Sequence, residues 1–411
     1  MSQIRDLIDF IAASPSAFHA AREVADRLTA AGFTEHSCTR SGAHSALGTE
    51  PGGHVLVDGG AVVAYWIPEV PNPAFRIIGS HTDSPGFMLK PTPDFHAHGF
   101  HQLAVEVYGG PILASWFDRE LTFAGRIVLA DGTSRLVNTG AVARIPHLAI
   151  HLERSQELQP DKQAHMQPIM GAGQSESIMD VVAEAADVDK RYIVSHELIS
   201  ADAQEGVVFN DMVAAGRLDN LSSVYASMTA LLGAIDEAQD IVVLAAFNHE
   251  EVGSQSTTGA SGPLLERCLT TIARAFGDPF EMFAASSLVS ADAAHSVHPN
   301  YAGKHDPTHR PLLNEGPVLK INANQRYASD AVTEALWINA CRAADVPVQT
   351  FVGNNSVPCG STIGPLAATR LGIRTVDVGV PLLSMHSARE LAGTQDQLWF
   401  ARALTAYLAG N

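Results

Sequence analysis

Seven consecutive apolar residues, Ile241-Val-Val-Leu-Ala-Ala-Phe247, lead directly into Asn248-His249-Glu250-Glu251. A run of that length, rich in β-branched residues and without polar alternation, reads as a strand covered on both faces. Such a strand needs packing layers above and below it, which confines the chain to a layered α/β architecture. The polar sequel adds a chemical constraint. Adjacent carboxylates disfavour each other's ionisation, and neighbouring side chains at a strand end are expected to point in opposite directions. One carboxylate can then grip a cation while the other moves a proton, the division of labour that hydrolytic metal sites require.

Other segments repeat the strand pattern: Phe75-Arg-Ile-Ile-Gly-Ser80, then residues 286–290, 348–352 and 373–378. Helical spacing runs through residues 3–13, where Ile4, Leu7, Ile8 and Ile11 form one apolar face, and through 17–31, 221–234, 330–344 and 360–371. Between these α/β halves the texture changes. Residues 103–108 and 121–129 read as strands, Asp131-Gly132 as a hairpin turn and 135–138 as its return. Residues 154–175 form a long polar loop, 177–186 a helix, and Lys90-Pro91-Thr92-Pro93 marks a boundary. The organisation expected is one α/β domain from residues 1–93 and 211–411, with helices on both faces of its sheet, interrupted by a β-rich insertion at 94–210.

The chain has 411 residues, 46% of them apolar and 17% charged, as in a globular enzyme. A formal net charge of −18 argues against nucleic acid or an anionic membrane as partner. Cys38, Cys268, Cys341 and Cys359 are scattered without metal or redox spacing and are expected to be reduced thiols of a cytoplasmic protein. The first residues show no signal-peptide pattern, and no stretch reaches the length of a membrane span.

Candidate ligands recur where the strands end. His81 and Asp83 follow residues 75–80, Glu250 and Glu251 follow 241–247, Asp292 follows 286–290, and His386 lies beyond 373–378. Asp219, in Arg217-Leu-Asp219-Asn220, precedes a helix, where an N-cap is the ordinary reading. Ligands of open α/β sheets collect outside the carboxyl ends of the strands, so these groups can converge. Imidazole and carboxylate suit zinc, and a carboxylate can bridge two ions about 3.5–4 Å apart. His81, Glu251, Asp292 and His386 with Asp219 as bridge would serve two ions, Asp83 would orient His81, and Glu250 would be the free acid–base carboxylate. His96, His98 and His101 have metal-friendly spacing but no evident carboxylate partner, and read as surface or interface residues.

The motifs resemble one family over nearly the whole chain. His81-Thr-Asp83-Ser-Pro, Tyr108-Gly-Gly, Trp116-Phe-Asp118-Arg119, Ile145-Pro-His147-Leu-Ala-Ile-His151 and Arg217-Leu-Asp219-Asn220 are followed in order by His249-Glu250-Glu251-Val-Gly-Ser254 and Ser290-Ala-Asp292-Ala-Ala-His295. His298-Pro-Asn-Tyr301, Lys320, Asn324-Gln325-Arg326-Tyr327, Pro358-Cys-Gly-Ser-Thr-Ile-Gly364 and Met385-His386-Ser387 complete the set. Together they resemble the aspartyl aminopeptidases, dinuclear zinc exopeptidases. The resemblance implies a mixed-sheet zinc exopeptidase domain interrupted by a β-rich dimerisation domain, and a tetrahedral homododecamer. It places the metal ligands on His81, Asp219, Glu251, Asp292 and His386, the catalytic base on Glu250 and its support on Asp83. Substrate contacts fall on His295, Lys320 and Tyr327, and on His151, which would reach a neighbouring subunit's site.

The activity so implied is removal of N-terminal Asp or Glu from peptides by a hydroxide held between two zinc ions, with Mn2+ or Co2+ as other acceptable ions. A dinuclear zinc deacylase or carboxypeptidase, or an inactive shell-forming homologue, are the alternatives. One departure bears on specificity. Relatives carry an Arg-Asn-Asp-type sequence where this chain reads Asn354-Asn355-Ser356-Val357, so the acidic preference is expected to be weaker while the hydrolytic groups are intact.

Overall fold

The computed structural model describes residues 2–37, 47–153, 159–173 and 175–410, so Cys38 and part of the 154–175 loop lie outside the described residues. Nine strands form a mixed sheet in the order Thr34–Ser37, Gly52–Asp58, Ala61–Ile67, Asp240–Phe247, Asn72–His81, Ser287–Ala291, Arg374–Gly379, Val318–Ile321, Gln349–Val352. The central strands are buried on both faces. Along Asp240–Phe247, Val242, Leu244 and Ala246 enter one core with the helices Ser2–Ala13, Ala17–Ala30, Leu218–Ala234, Ala331–Ala343 and Thr394–Ala409. Ile241, Val243, Ala245 and Phe247 enter the opposite core with the helices Leu264–Ala273, Pro279–Ala285 and Ile363–Leu371. That double burial is why the run shows no polar alternation. No helix among the described residues is long and apolar enough to cross a membrane.

A second sheet takes all its strands from residues 86–202: Ile193–Asp202, Gly86–Ala97, Phe100–Tyr108, Ile169–Ala172, Ala143–Arg144, Glu120–Leu129 and Ser134–Asn138. Ile193–Asp202 pairs with both Gly86–Ala97 and Glu120–Leu129, so the sheet closes into a ring around its own core, which includes Phe87, Phe123, Ile127 and Trp116. Lys90-Pro91-Thr92-Pro93 sits inside the strand Gly86–Ala97 and does not end it. The pairing register with Phe100–Tyr108 shifts between Leu89 and Asp94, an irregularity that absorbs the missing proline N–H donors. A third sheet, Val207–Phe209, Met212–Ala215, Glu390–Gly393, Pro381–Leu383 and Ala294–His295, joins distant segments and carries the chain on either side of His386.

The histidine-rich stretch differs from expectation. His96 and His98 are exposed, but His101 is buried and bonded through Nε2 to Asp94 Oδ1 (2.8 Å) and through Nδ1 to Ser175 Oγ (2.6 Å), with the His96 ring stacked on it. The carboxylate partner comes from the neighbouring strand across the hairpin, which linear spacing does not display.

Candidate metal centre

Asp240–Phe247, Asn72–His81 and Ser287–Ala291 are adjacent and parallel, with Phe247 opposite His81 and Ser290 opposite Gly79. Their carboxyl ends therefore lie side by side, bringing His81, the 248–251 segment and Asp292 to one place. The helix Leu218–Ala234 presents its first turn there. Asp219 is not an N-cap: Arg217 holds that position, Asp219 itself is non-helical (φ −80°, ψ 104°), and the Asp219–Asn220 peptide bond is cis. Asn220 Nδ2 donates to Ala291 O at 2.9 Å, tying this turn to the strand that precedes Asp292.

The two glutamates do not diverge as residues of a strand. The strand stops at Phe247, His249 is left-handed (φ 63°), and Glu250–Val252 forms one 3-10 turn. Both carboxylates consequently approach His81. Arg217 and His386 are also left-handed, at φ 59° and 67°. Each such non-glycine residue costs about 1–2 kcal/mol, and strain of this kind collects where geometry serves function.

Asp219 stands between the two histidines, with Oδ1 3.4 Å from His81 Nε2 and Oδ2 3.4 Å from His386 Nε2. Asp292 Oδ1 lies 3.3 Å from His81 Nε2, and Glu251 Oε2 lies 3.3 Å from His386 Nε2. Glu250 Oε2 is farther off, 4.0 Å from His81 Nε2. Three overlapping groups result, His81–Asp219–Asp292, His81–Glu250–Glu251 and Asp219–Glu251–His386, each with ligand atoms within 4.8 Å of one another. Asp83 accepts from the main-chain N–H groups of Glu250 and Glu251 (both 3.1 Å) and from Tyr108 Oη (2.7 Å).

The chemistry of these residues fits divalent metal cations. The Nδ1 atoms of His81 and His386 face the carbonyl oxygens of Asp83 (3.0 Å) and Gly110 (3.1 Å), which places the ring proton on Nδ1 and leaves Nε2 as a lone pair. Those lone pairs face carboxylate oxygens, a repulsive arrangement unless positive charge lies between them. Asp219 Oδ1 and Glu251 Oε1 are buried and have no hydrogen-bond partner. Burial raises Glu250 to about 7, with Asp292 and Asp219 adding and His81 opposing. Glu251 is driven well above the usual carboxylate range by burial and Asp219. For Asp219 burial works upward too, but positive charge on the facing His386 and His81 rings would outweigh it and hold the carboxyl low. Divalent cations would remove the mutual penalty among these carboxylates.

A profile of the family described as Aminopeptidase I zinc metalloprotease (M18) matches residues 10–408. The chain belongs to the M18 family of zinc aminopeptidases. The aspartyl aminopeptidases whose motifs it shares are M18 enzymes. A protein of Streptomyces avermitilis described as "Probable M18 family aminopeptidase 2" is 47% identical over 426 residues, covering 98% of this chain and 97% of the relative. One of the same description from Ectopseudomonas mendocina is 42% identical over 424 residues, covering 98% and 97%. Among solved structures, that of the Ape4 and Nbr1 complex matches with a TM-score of 0.94 and 34% identity, over 99% of this chain and 85% of that one. The mApe1 dodecamer of S. cerevisiae matches with a TM-score of 0.85 and 27% identity, over 98% and 95%.

In this M18 chain the remaining expected residues divide. Lys320 is buried, with Nζ donating to Asp292 Oδ2 (3.2 Å) and Ala293 O (3.1 Å) and lying 5.2 Å from the Tyr327 ring centroid. His295 keeps solvent-accessible surface although dense protein surrounds its ring, which is edge-on to Phe351 at 5.8 Å; that crowding and then Lys320 lower its pKa. His151 is exposed between Ile150 and Leu152, also exposed, and takes no part in the groups around His81 and His386. Asn354 reaches Gly303 O (3.4 Å) and His305 O (3.3 Å). One buried residue escaped the sequence reading. Glu390 Oε2 accepts from the main-chain N–H of Asp219 (2.9 Å) and Oε1 from that of His386 (2.7 Å), clamping these two segments together. Its position four residues after His386 is the one local signal, and burial followed by Asp219 raises its pKa to about 8.

Proposed function

We propose that this M18 enzyme is a dinuclear zinc aminopeptidase that removes N-terminal Asp and Glu from peptides. The observation that carries the reading is the Asp219 carboxylate, with one oxygen toward His81 and the other toward His386. In this reading His81 and Asp292 hold one ion, Glu251 and His386 the other, and Asp219 both. Zinc bound there would polarise the scissile carbonyl and lower the pKa of a water. Glu250 takes the proton from the attacking water and delivers it to the departing amine, a role suited to a carboxyl raised to about 7. Asp83 fixes His81 and the Glu250–Glu251 turn.

Lys320 is the proposed receptor for an acidic first side chain. An ammonium has three donors, and two already serve Asp292 and Ala293, which leaves one N–H for a substrate carboxylate. Tyr327 shapes the wall behind it, and His295 lies at the open side to contact the substrate. We further propose a homododecamer of tetrahedral symmetry in the cytoplasm, supported by the fold shared with the mApe1 dodecamer, with His151 completing a neighbouring subunit's site. Residues 94–210 act in this reading as the inserted dimerisation unit, in keeping with the ring of strands drawn from residues 86–202.

A panel of aminoacyl p-nitroanilides, run alongside metal analysis, tests the reading. The expected result is about two zinc ions per subunit, faster turnover of Asp and Glu derivatives than of neutral ones, and no cleavage of N-acetyl-Asp. Preference for the acetylated substrate would establish a deacylase. Equal rates across neutral and acidic derivatives would remove the assignment of Lys320.

A further inference from the structure

The strand Phe100–Tyr108 belongs to the ring-shaped sheet, yet the segment that leaves it lies against both ends of the metal centre. At one end Tyr108 Oη donates to Asp83 Oδ2 at 2.7 Å, and Asp83 holds His81 through its own carbonyl. At the other, Gly110 O receives the His386 ring at 3.1 Å and Ile112 N–H donates to His386 O at 2.9 Å. Ser115 Oγ fastens this end: it donates to Ile112 O (2.7 Å) and accepts from Ala388 N–H (2.9 Å). We propose that Tyr108–Ser115 is a strap that positions the histidines at both ends of the centre, so that zinc retention is governed from the inserted sheet.

The two histidines differ in how much they need this. The His81 side chain is 2% exposed and its ring acceptor lies two residues away in its own segment. The His386 side chain is 31% exposed, its backbone is left-handed, and its ring acceptor is 276 residues distant in sequence. Gly109 is what lets the strap approach. Its φ of 69° favours glycine, and a Cβ there would stand 3.2 Å from the Cβ of Glu251. The direction of a ligand's lone pair is fixed by the acceptor that holds its other nitrogen, so loosening the strap should weaken metal binding without touching a ligand.

The inference rests on His81 and His386 being ligands. The test therefore compares full-length, zinc-loaded wild type with Tyr108→Phe, Ser115→Ala, Ser115→Thr and His386→Ala. Zinc transfer to a chromogenic chelator and the melting temperature of the metal-free protein are the readouts. Tyr108→Phe and Ser115→Ala are expected to weaken zinc retention by about 10–100-fold and Ser115→Thr to restore it, with the loss of zinc retention exceeding any fall in metal-free stability. Unchanged zinc retention in Tyr108→Phe and Ser115→Ala, with His386→Ala losing zinc, overturns the strap alone. So does a loss matched by an equal fall in metal-free stability, which marks a merely structural contact. Full zinc retention by His386→Ala overturns the ligand assignment instead.

Discussion

Exchanging Glu250 for Gln removes a carboxylate while keeping its shape, and the structure indicates what should survive. The Glu250 main chain is anchored by its N–H to Asp83 Oδ1 (3.1 Å), an anchor the substitution leaves intact. Its carboxylate is the more distant of the two from the histidines, at 4.0 Å from His81 against 3.3 Å between Glu251 and His386. The zinc content of Glu250→Gln should therefore equal that of wild type. The proton transfer, in contrast, has no substitute within the turn. Loss of a general acid–base group costs about 10²–10⁴-fold in rate, equivalent to roughly 3–5 kcal/mol of barrier. The assay is steady-state hydrolysis of Asp-p-nitroanilide across pH, with metal content measured on the same samples. Wild-type kcat/KM should fall on the acid side as Glu250 is protonated, at or below pH 7 because bound cations pull its pKa down. That limb should vanish in Glu250→Gln. A zinc-depleted Glu250→Gln beside a zinc-replete, slow Glu251→Gln would exchange the two roles, and a zinc-replete Glu250→Gln of wild-type speed would refute the proton-transfer argument outright.

Glu390→Ala orphans two buried main-chain N–H groups, at about 1–3 kcal/mol each; an unchanged urea midpoint would contradict the clamp. Lys320→Ala should raise KM for Asp and Glu substrates more than for neutral ones, and an equal rise for both would dismiss the pocket. The third concerns pH. Burial and then Arg217 lower His19 to about 4, against 6.5 when unfolded. The unfolded chain thus binds more protons between these values, so the neutral ring's contribution is whole above pH 6.5 and is lost as pH falls toward 4. The stability margin of wild type over His19→Gln should shrink by about 2–3 kcal/mol between pH 7.5 and 4.5; a margin independent of pH, by urea titration at both values, would discredit it.

The strand at 241–247 was legible because burial on both faces writes an uninterrupted apolar run, and the amphipathic helix at Ser2–Ala13 because one-sided burial writes a 3.6-residue period. The short strand Val318–Ile321 was not read, although it carries Lys320, because four residues offer no period to detect. The third sheet escaped for a different reason: its partners are separated by up to some 180 residues, and pairing at that range leaves no local trace.

The sequence alone determined which chemistry was available, since ligand types at the carboxyl ends of apolar strands follow from strand burial and from the side chains present. Tertiary structure decided the arrangement. It turned the 249–251 segment so that both glutamates face one side, set Asp219 between two histidines, clamped Asp219 and His386 through Glu390, and laid the Tyr108–Ser115 segment across both ends. Each of these depends on a hydrogen bond or approach between segments far apart in the chain. Such contacts are fixed by packing of the whole sheet and, apart from the four-residue step from His386 to Glu390, carry no spacing that a linear reading can detect.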